Sequence, residues 1–185
     1  MMAGYVTREY ITGGDLRDLR GKLGLTQKEM AGFLRCSKRT VENWETKTEK
    51  ITGPVVPLLE ILIRHPEQAQ ALELPPERLK LRLWYYYENQ VCTIIDVDEL
   101  SRRVSIRNYT ANPLFRAFGI NTEPTFEDYE AFLASRCFPE SRDKMKLQLK
   151  ELGIPFYDPL LIIEKTEGRM ADDHFRIRID RGDRE

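Results

Sequence analysis

Leu19–Glu45 reads LRGKLGLTQKEMAGFLRCSKRTVENWE, and this stretch decides how the chain is interpreted. Thr26 followed three residues later by Glu29 is a capping box: side chain and backbone satisfy each other's orphan amides at a helix start. The helix it opens carries Met30, Ala31, Phe33 and Leu34 on or near an inward side. Ser37 is a second N-cap, and Val41 and Trp44 behind it stand at i, i+3 spacing. Upstream, Leu16, Leu19 and Leu23 share one face of a helix over Asp15–Leu23. Downstream, Gly53-Pro54 opens a further helix, with Val55, Leu58, Leu59 and Leu62 as its expected apolar stripe. Two short helices joined by a turn hold the second at a fixed angle. Its outward face can then enter the major groove of DNA.

The spacing L-R-x-x-x-G-L-T-Q-x-E-x-A-x-x-L-x-x-S-x-x-T-V-x-x-W-E resembles the helix-turn-helix of the Cro/repressor-like (XRE) family over about residues 12–65. The resemblance implies base contacts from Lys38, Arg39 and Asn43, since Arg or Lys can donate to guanine and Asn can pair with adenine. It implies phosphate contacts from Gln27, with Lys28, Ser37 and Thr40 as further DNA-binding candidates. Arg20 and Glu45 match family positions that form an internal ion pair, and Trp44 is expected in the core. Thr46 stands where the family usually has Gly, so the end of this helix is open. Gly53–Glu67 is similar to the last helix of antitoxins of the HigA and MqsA kind. Val56, Leu59 and Ile63 there are an expected dimer surface. The implied function is a dimeric, sequence-specific transcriptional regulator, an autorepressor on an inverted repeat with half-sites about one helical turn apart.

Composition sets the limits around this reading. The chain has 185 residues, enough for one ordinary domain or two small ones, and 41% are hydrophobic and 32% charged. Residues 1–65 hold 11 Lys or Arg against 8 Asp or Glu, whereas residues 66–185 hold 18 against 22. The first third is therefore the part suited to a polyanion. No apolar run approaches the roughly 20 residues of a membrane span. The start MMAGYVTREY has a charged pair where a signal peptide needs an apolar core. Cys36, Cys92 and Cys137 have no metal-ligand spacing, so a cytoplasmic setting is expected.

Pro66, Pro75 and Pro76 punctuate a boundary, giving a DNA-binding domain over 1–66, a linker over 67–79 with one short helix, and an interaction or sensing domain over 80–185. The expected fold class is an all-α helix-turn-helix domain followed by a small α+β domain. In the latter, Val91–Val97 and Val104–Ile106 read as a hairpin, and His174–Asp180 as a strand. Leu81–Tyr87 is either strand or helix end. Thr125, Ser141 and Asp158-Pro159 are expected to start three helices, the second closed by Gly153 and the third ending near Gly168. Tyr85, Tyr86, Tyr87, Phe115 and Phe118 are either core or interface.

Catalysis has little support in the residues. Asp172, Asp173 and His174 are adjacent, and adjacent side chains rarely converge on one proton or metal. Cys137 has no histidine near it in sequence, and Gly13-Gly14 and Gly168 lack a phosphate-loop context. The expectation is a non-enzyme without metal or cofactor. Phe138–Asp143, Phe156–Leu161 and Gly168–Ala171 are similar in order to the small N-terminal subdomain of HipA-type kinase toxins. That resemblance implies, as the alternative function, an antitoxin or toxin-associated protein whose second domain binds a kinase-like partner.

Overall fold

Residue 4 and residues 6–182 are described by the computed structural model, so most of the N-terminal stretch MMAGYVTREY lies inside it, with residues 1–3 and Tyr5 outside. The chain divides into two units, Met1–Glu73 and Leu74–Glu185. The first holds α1 (Gly13–Lys22), α2 (Gln27–Phe33), α3 (Lys38–Thr46), α4 (Val55–Arg64) and the four-residue α5 (Glu67–Gln70). The second holds β1 (Leu81–Tyr87), β2 (Gln90–Asp98), β3 (Arg103–Asn108), α6 (Phe126–Ser135), α7 (Met145–Leu152), α8 (Pro159–Thr166) and β4 (Phe175–Asp180).

The expected fold class is corrected by this architecture. The described chain is a mixed fold of eight α-helices and one four-stranded antiparallel sheet, with helices N-terminal and the sheet central. Nor is the first unit all-α, because Ile11 and Ile51 pair as an antiparallel bridge, each N–H donating to the other's carbonyl at 3.0 and 2.9 Å. Helical periodicity is blind to a bridge between residues so far apart in sequence. Both isoleucines are fully buried, so the bridge ties the chain before α1 to the chain before α4 through the core.

Local signals explain most helix starts. Thr12, Thr26 and Thr125 each form a complete capping box, with Asp15, Glu29 and Asp128 respectively. Asp158 accepts from Leu161 N at 3.0 Å ahead of Pro159, which needs no amide at that position. Ser141 does not cap α7. That helix starts at Met145 behind Lys144, which has φ 66° and gives no side-chain cap. On α4 the stripe is Val56, Leu59 and Leu62, with Glu60 also buried, while Leu58 is exposed. Val56 and Leu59 are thus core residues and not the expected dimer surface, and Ile63 packs beside them. Leu59 and Leu62 are buried as expected, whereas Val56 and Glu60 take the core places expected of Val55 and Leu58, with Glu60 accepting from Arg8 N at 2.8 Å.

In the second unit the strand order is β3-β2-β1-β4. Leu81–Tyr87, undecided from sequence, is the central β1, paired with β2 on one side and β4 on the other. Its odd-numbered residues Leu81, Leu83, Tyr85 and Tyr87 face the core with Ile95, Val97 and Ile177, against Tyr129, Phe132 and Leu133 of α6 and Ile162 and Ile163 of α8. Tyr85 stacks on Phe175 at 4.9 Å and meets Phe132 edge-on at 5.2 Å. Tyr86 is buried on the opposite face, and Phe115 and Phe118 pack at the core margin.

That opposite face carries a buried ion pair. Arg82 and Asp96 are direct cross-strand partners, joined by two hydrogen bonds of 2.8 and 2.9 Å, and both are almost inaccessible. Arg82 also donates to the carbonyls of Pro75 and Glu77 at 3.4 Å, which holds the segment before β1 across the sheet. Truncating one member would strand the other charge in a dry site. Replacing Arg82 with Ala is expected to cost about 3–5 kcal/mol, read as a lower denaturant midpoint for the second unit. A loss below 1 kcal/mol would show that water reaches Asp96.

Candidate nucleic-acid interface

The α2–α3 pair is built around one buried carboxylate. Glu45, 5% exposed, accepts from Arg20 Nε at 2.6 Å and Nη2 at 3.0 Å, and from Gln27 Nε2 at 2.9 Å. Arg20 also donates to the Leu25 carbonyl at 3.0 Å, and Arg17 donates to the backbone carbonyl of Glu45. Residues of α1, the start of α2 and the end of α3 therefore share one polar knot. Gly13 completes it. A Cβ there would sit 2.2 Å from the Trp44 carbonyl oxygen, so the first turn of α1 approaches α3 as only glycine allows.

Between the two helices the chain turns at Arg35, whose φ of 54° lies in the left-handed region. Cys36 N donates back to the Ala31 carbonyl at 2.9 Å. Ser37 caps α3 through Thr40 N at 3.1 Å, and the two hydroxyls are 2.8 Å apart. Val41 and Glu45 are buried and Trp44 packs beside them, which fixes the inward side of α3. At 3.6 residues per turn, Lys38, Arg39 and Asn43 then fall within an arc of about 140° on the outward side, and all three are exposed.

The seven sequence candidates thus separate into groups. Lys38, Arg39 and Asn43 lie together on the open side of α3, Lys38 held 2.9 Å from Glu42 in an exposed i, i+4 pair. Such a pair is worth about 0.3–0.5 kcal/mol, little enough to exchange for a phosphate or base. Ser37 and Thr40 spend their hydroxyls on each other at the cap. Lys28 is exposed on α2. Gln27 is turned inward to Glu45, so its amide nitrogen serves the knot.

Two cations that sequence reading passed over border the same surface. A shallow concavity is lined by Thr40, Asn43, Trp44, Lys47, Glu49 and Lys50. The Lys50 ammonium sits 3.9 Å above the Tyr10 ring, which the Ile11–Ile51 bridge places beneath it. The run Lys47–Lys50 looks in sequence like a solvated loop. Only the bridge gives one of its cations a fixed position.

Glu45 has a testable acid-base consequence. The Arg20 guanidinium, with help from Gln27, holds its carboxyl below the usual glutamate range against the opposing effect of burial. The folded carboxyl thus titrates lower than the unfolded one. Its stabilisation is whole above the usual glutamate range and is lost as pH falls through the folded-state value. Replacing Glu45 with Gln leaves Arg20 without its counter-charge. The variant is expected to lose about 1–3 kcal/mol near neutral pH and to show a shallower acid limb in thermal melts. An unchanged acid limb would remove Glu45 from the pH dependence.

In the second unit, Asp173 of the Asp172-Asp173-His174 run is engaged structurally, while Asp172 is exposed. Asp173 accepts from Arg136 at 2.6 and 3.0 Å and from Phe175 N at 3.0 Å, and His174 is exposed. Arg136, itself buried, also donates twice to the Gly168 carbonyl, binding the end of α6 to the turn ahead of β4. Cys137 is buried, which pushes its thiol up to about 12 and keeps it protonated at neutral pH. Among the described residues no helix is long and apolar enough to cross a membrane. No protein-family model matches the chain, and no curated protein matches it either.

Proposed function

We propose that the protein is a sequence-specific DNA-binding transcriptional regulator that acts as a dimer on an inverted repeat, in the simplest case its own promoter. The observation that carries this reading is the outward side of α3. Lys38, Arg39 and Asn43 are exposed together there, while Val41, Trp44 and Glu45 hold the other side against the core. Two donors suited to guanine and an amide suited to adenine, on a short helix with a pinned back, match what major-groove readout requires. Lys47 and Lys50 lie next to the end of the helix, and cations there suit phosphate contact.

The decisive experiment selects an operator from a random duplex pool and measures its affinity by fluorescence anisotropy. Replacing Lys38 and Arg39 together with Ala is expected to cost about 1–3 kcal/mol per lost base contact, with the melting temperature nearly unchanged. Equal operator affinity in the variant would remove α3 from the interface.

Support for the dimer comes from α4, where Leu58 and Ile61, one turn apart, are 43% and 53% exposed. Changing both to Glu is expected to yield a monomer in sedimentation and to abolish cooperative occupancy of two half-sites. A variant that still sediments as a dimer would move the interface elsewhere.

A further inference from the structure

On the face of the second unit's sheet opposite the α6–α8 core, where Arg178 is exposed and Arg176 half-buried, β4 has an arrangement that the buried ion pair does not require. Arg178 is the cross-strand partner of Trp84, and its guanidinium lies 4.8 Å from the centre of that ring. Two residues back, Arg176 faces Tyr86 and lies 4.1 Å over it. Successive odd or even positions on a strand share a face, so both residues stand on the same side of β4, with Cα atoms about 7 Å apart. Among the described residues, neither makes an ion pair within 4 Å. Two carboxylates of this face are paired elsewhere: Asp180, which also feels the charge of Arg178, with Arg78 at 2.6 Å, and Asp96 with Arg82.

Three features suit this arrangement to an anion. First, residues 74–185 carry 18 Lys or Arg against 20 Asp or Glu, so the two arginines are a local positive spot on a unit that is slightly acidic in total. Second, a guanidinium resting on an aromatic ring loses rotamer freedom but keeps its in-plane N–H donors, which is the preorganised fork that suits phosphate oxygens. Third, Trp84 Nε1 is a buried donor with no acceptor among the described residues, so this part of the face is short of acceptors and not of donors. Tyr86 is buried under the arginines. Stacking of unpaired bases on its ring is therefore closed off, whereas contact with a sugar–phosphate backbone is open.

We propose that Arg176 and Arg178 form a second, sequence-independent contact of this protein with the phosphate backbone of duplex DNA. This surface lies outside the α3 reading and adds affinity without adding base preference. In a regulator it would let the second unit strengthen or release DNA binding without altering the operator sequence. Arginines on an edge strand also discourage pairing with other strands, and that role alone predicts no change in DNA binding when they are replaced.

The test uses the full chain and a random-sequence duplex, with affinity followed between about 50 and 200 mM salt. Replacing both residues with Gln (R176Q/R178Q) is expected to reduce the slope of log affinity against log salt by about 2, close to one for each lost phosphate contact. The R176K/R178K variant keeps the charges and is expected to keep the slope while binding more weakly, because the fork is gone. The single R178Q variant is expected to show about half the slope change, which covers the case in which the double variant folds poorly. Slopes and affinities equal to the unsubstituted chain in R176Q/R178Q and R178Q, or no binding of the random duplex by the unsubstituted chain, would overturn the proposal. The Lys38 and Arg39 double variant separates the two surfaces. It is expected to lose operator preference yet retain the slope contribution of Arg176 and Arg178, so either surface can fail alone.

Discussion

Glu45 is the group on which the first unit depends. A carboxylate this buried is costly unless it is fully engaged, and here two side chains from different helices engage it. Because Arg20 belongs to α1, Gln27 to α2 and Glu45 to α3, satisfying one charge fixes three helices in one geometry. Hydrophobic packing of Leu16, Leu19, Met30 and Val41 supplies the driving force, but apolar contacts are non-directional. The polar knot adds direction. The angle at which α3 presents Lys38, Arg39 and Asn43 follows from it, with the close approach of Gly13 to Trp44 as the second constraint.

Buried charge is used in the same way in the second unit. Arg82 and Asp96 join the two central strands and hold the segment around Pro75–Glu77 over the sheet. Arg136 joins the end of α6 to Gly168 and Asp173 ahead of β4. β4 enters the sheet beside β1, far from it in sequence, and the Arg136 fork orients that return. The aromatic layer of Tyr85, Phe132 and Phe175 fills the space so defined.

Cations resting on aromatic rings recur at both surfaces proposed to meet nucleic acid. Lys50 lies over Tyr10, Arg176 over Tyr86 and Arg178 over Trp84. The stacked geometry restrains a long side chain before any ligand arrives, which lowers the ordering cost of binding. It also keeps the charge at the surface, because the ring covers only one side of it.

Much of this was legible in local chemistry. The capping box at Thr26, the caps at Ser37 and Thr125, the hairpin of β2 and β3 and the alternation of Phe175–Asp180 all depend on residues a few positions apart, and each appears where its spacing places it. The outward trio on α3 is legible for the same reason. What was not legible depends on distant partners. The Ile11–Ile51 bridge, the phase of α4 that buries Val56 and exposes Leu58, the strand at Leu81–Tyr87 and the inward turn of Gln27 each result from packing against residues remote in sequence. So do the positions of Lys50 and of Arg176 and Arg178, whose rings lie on other elements. Spacing along one helix or strand sets which side chains share a face. Which face is buried, and which cation meets which ring, is decided only when the elements compete for the same core.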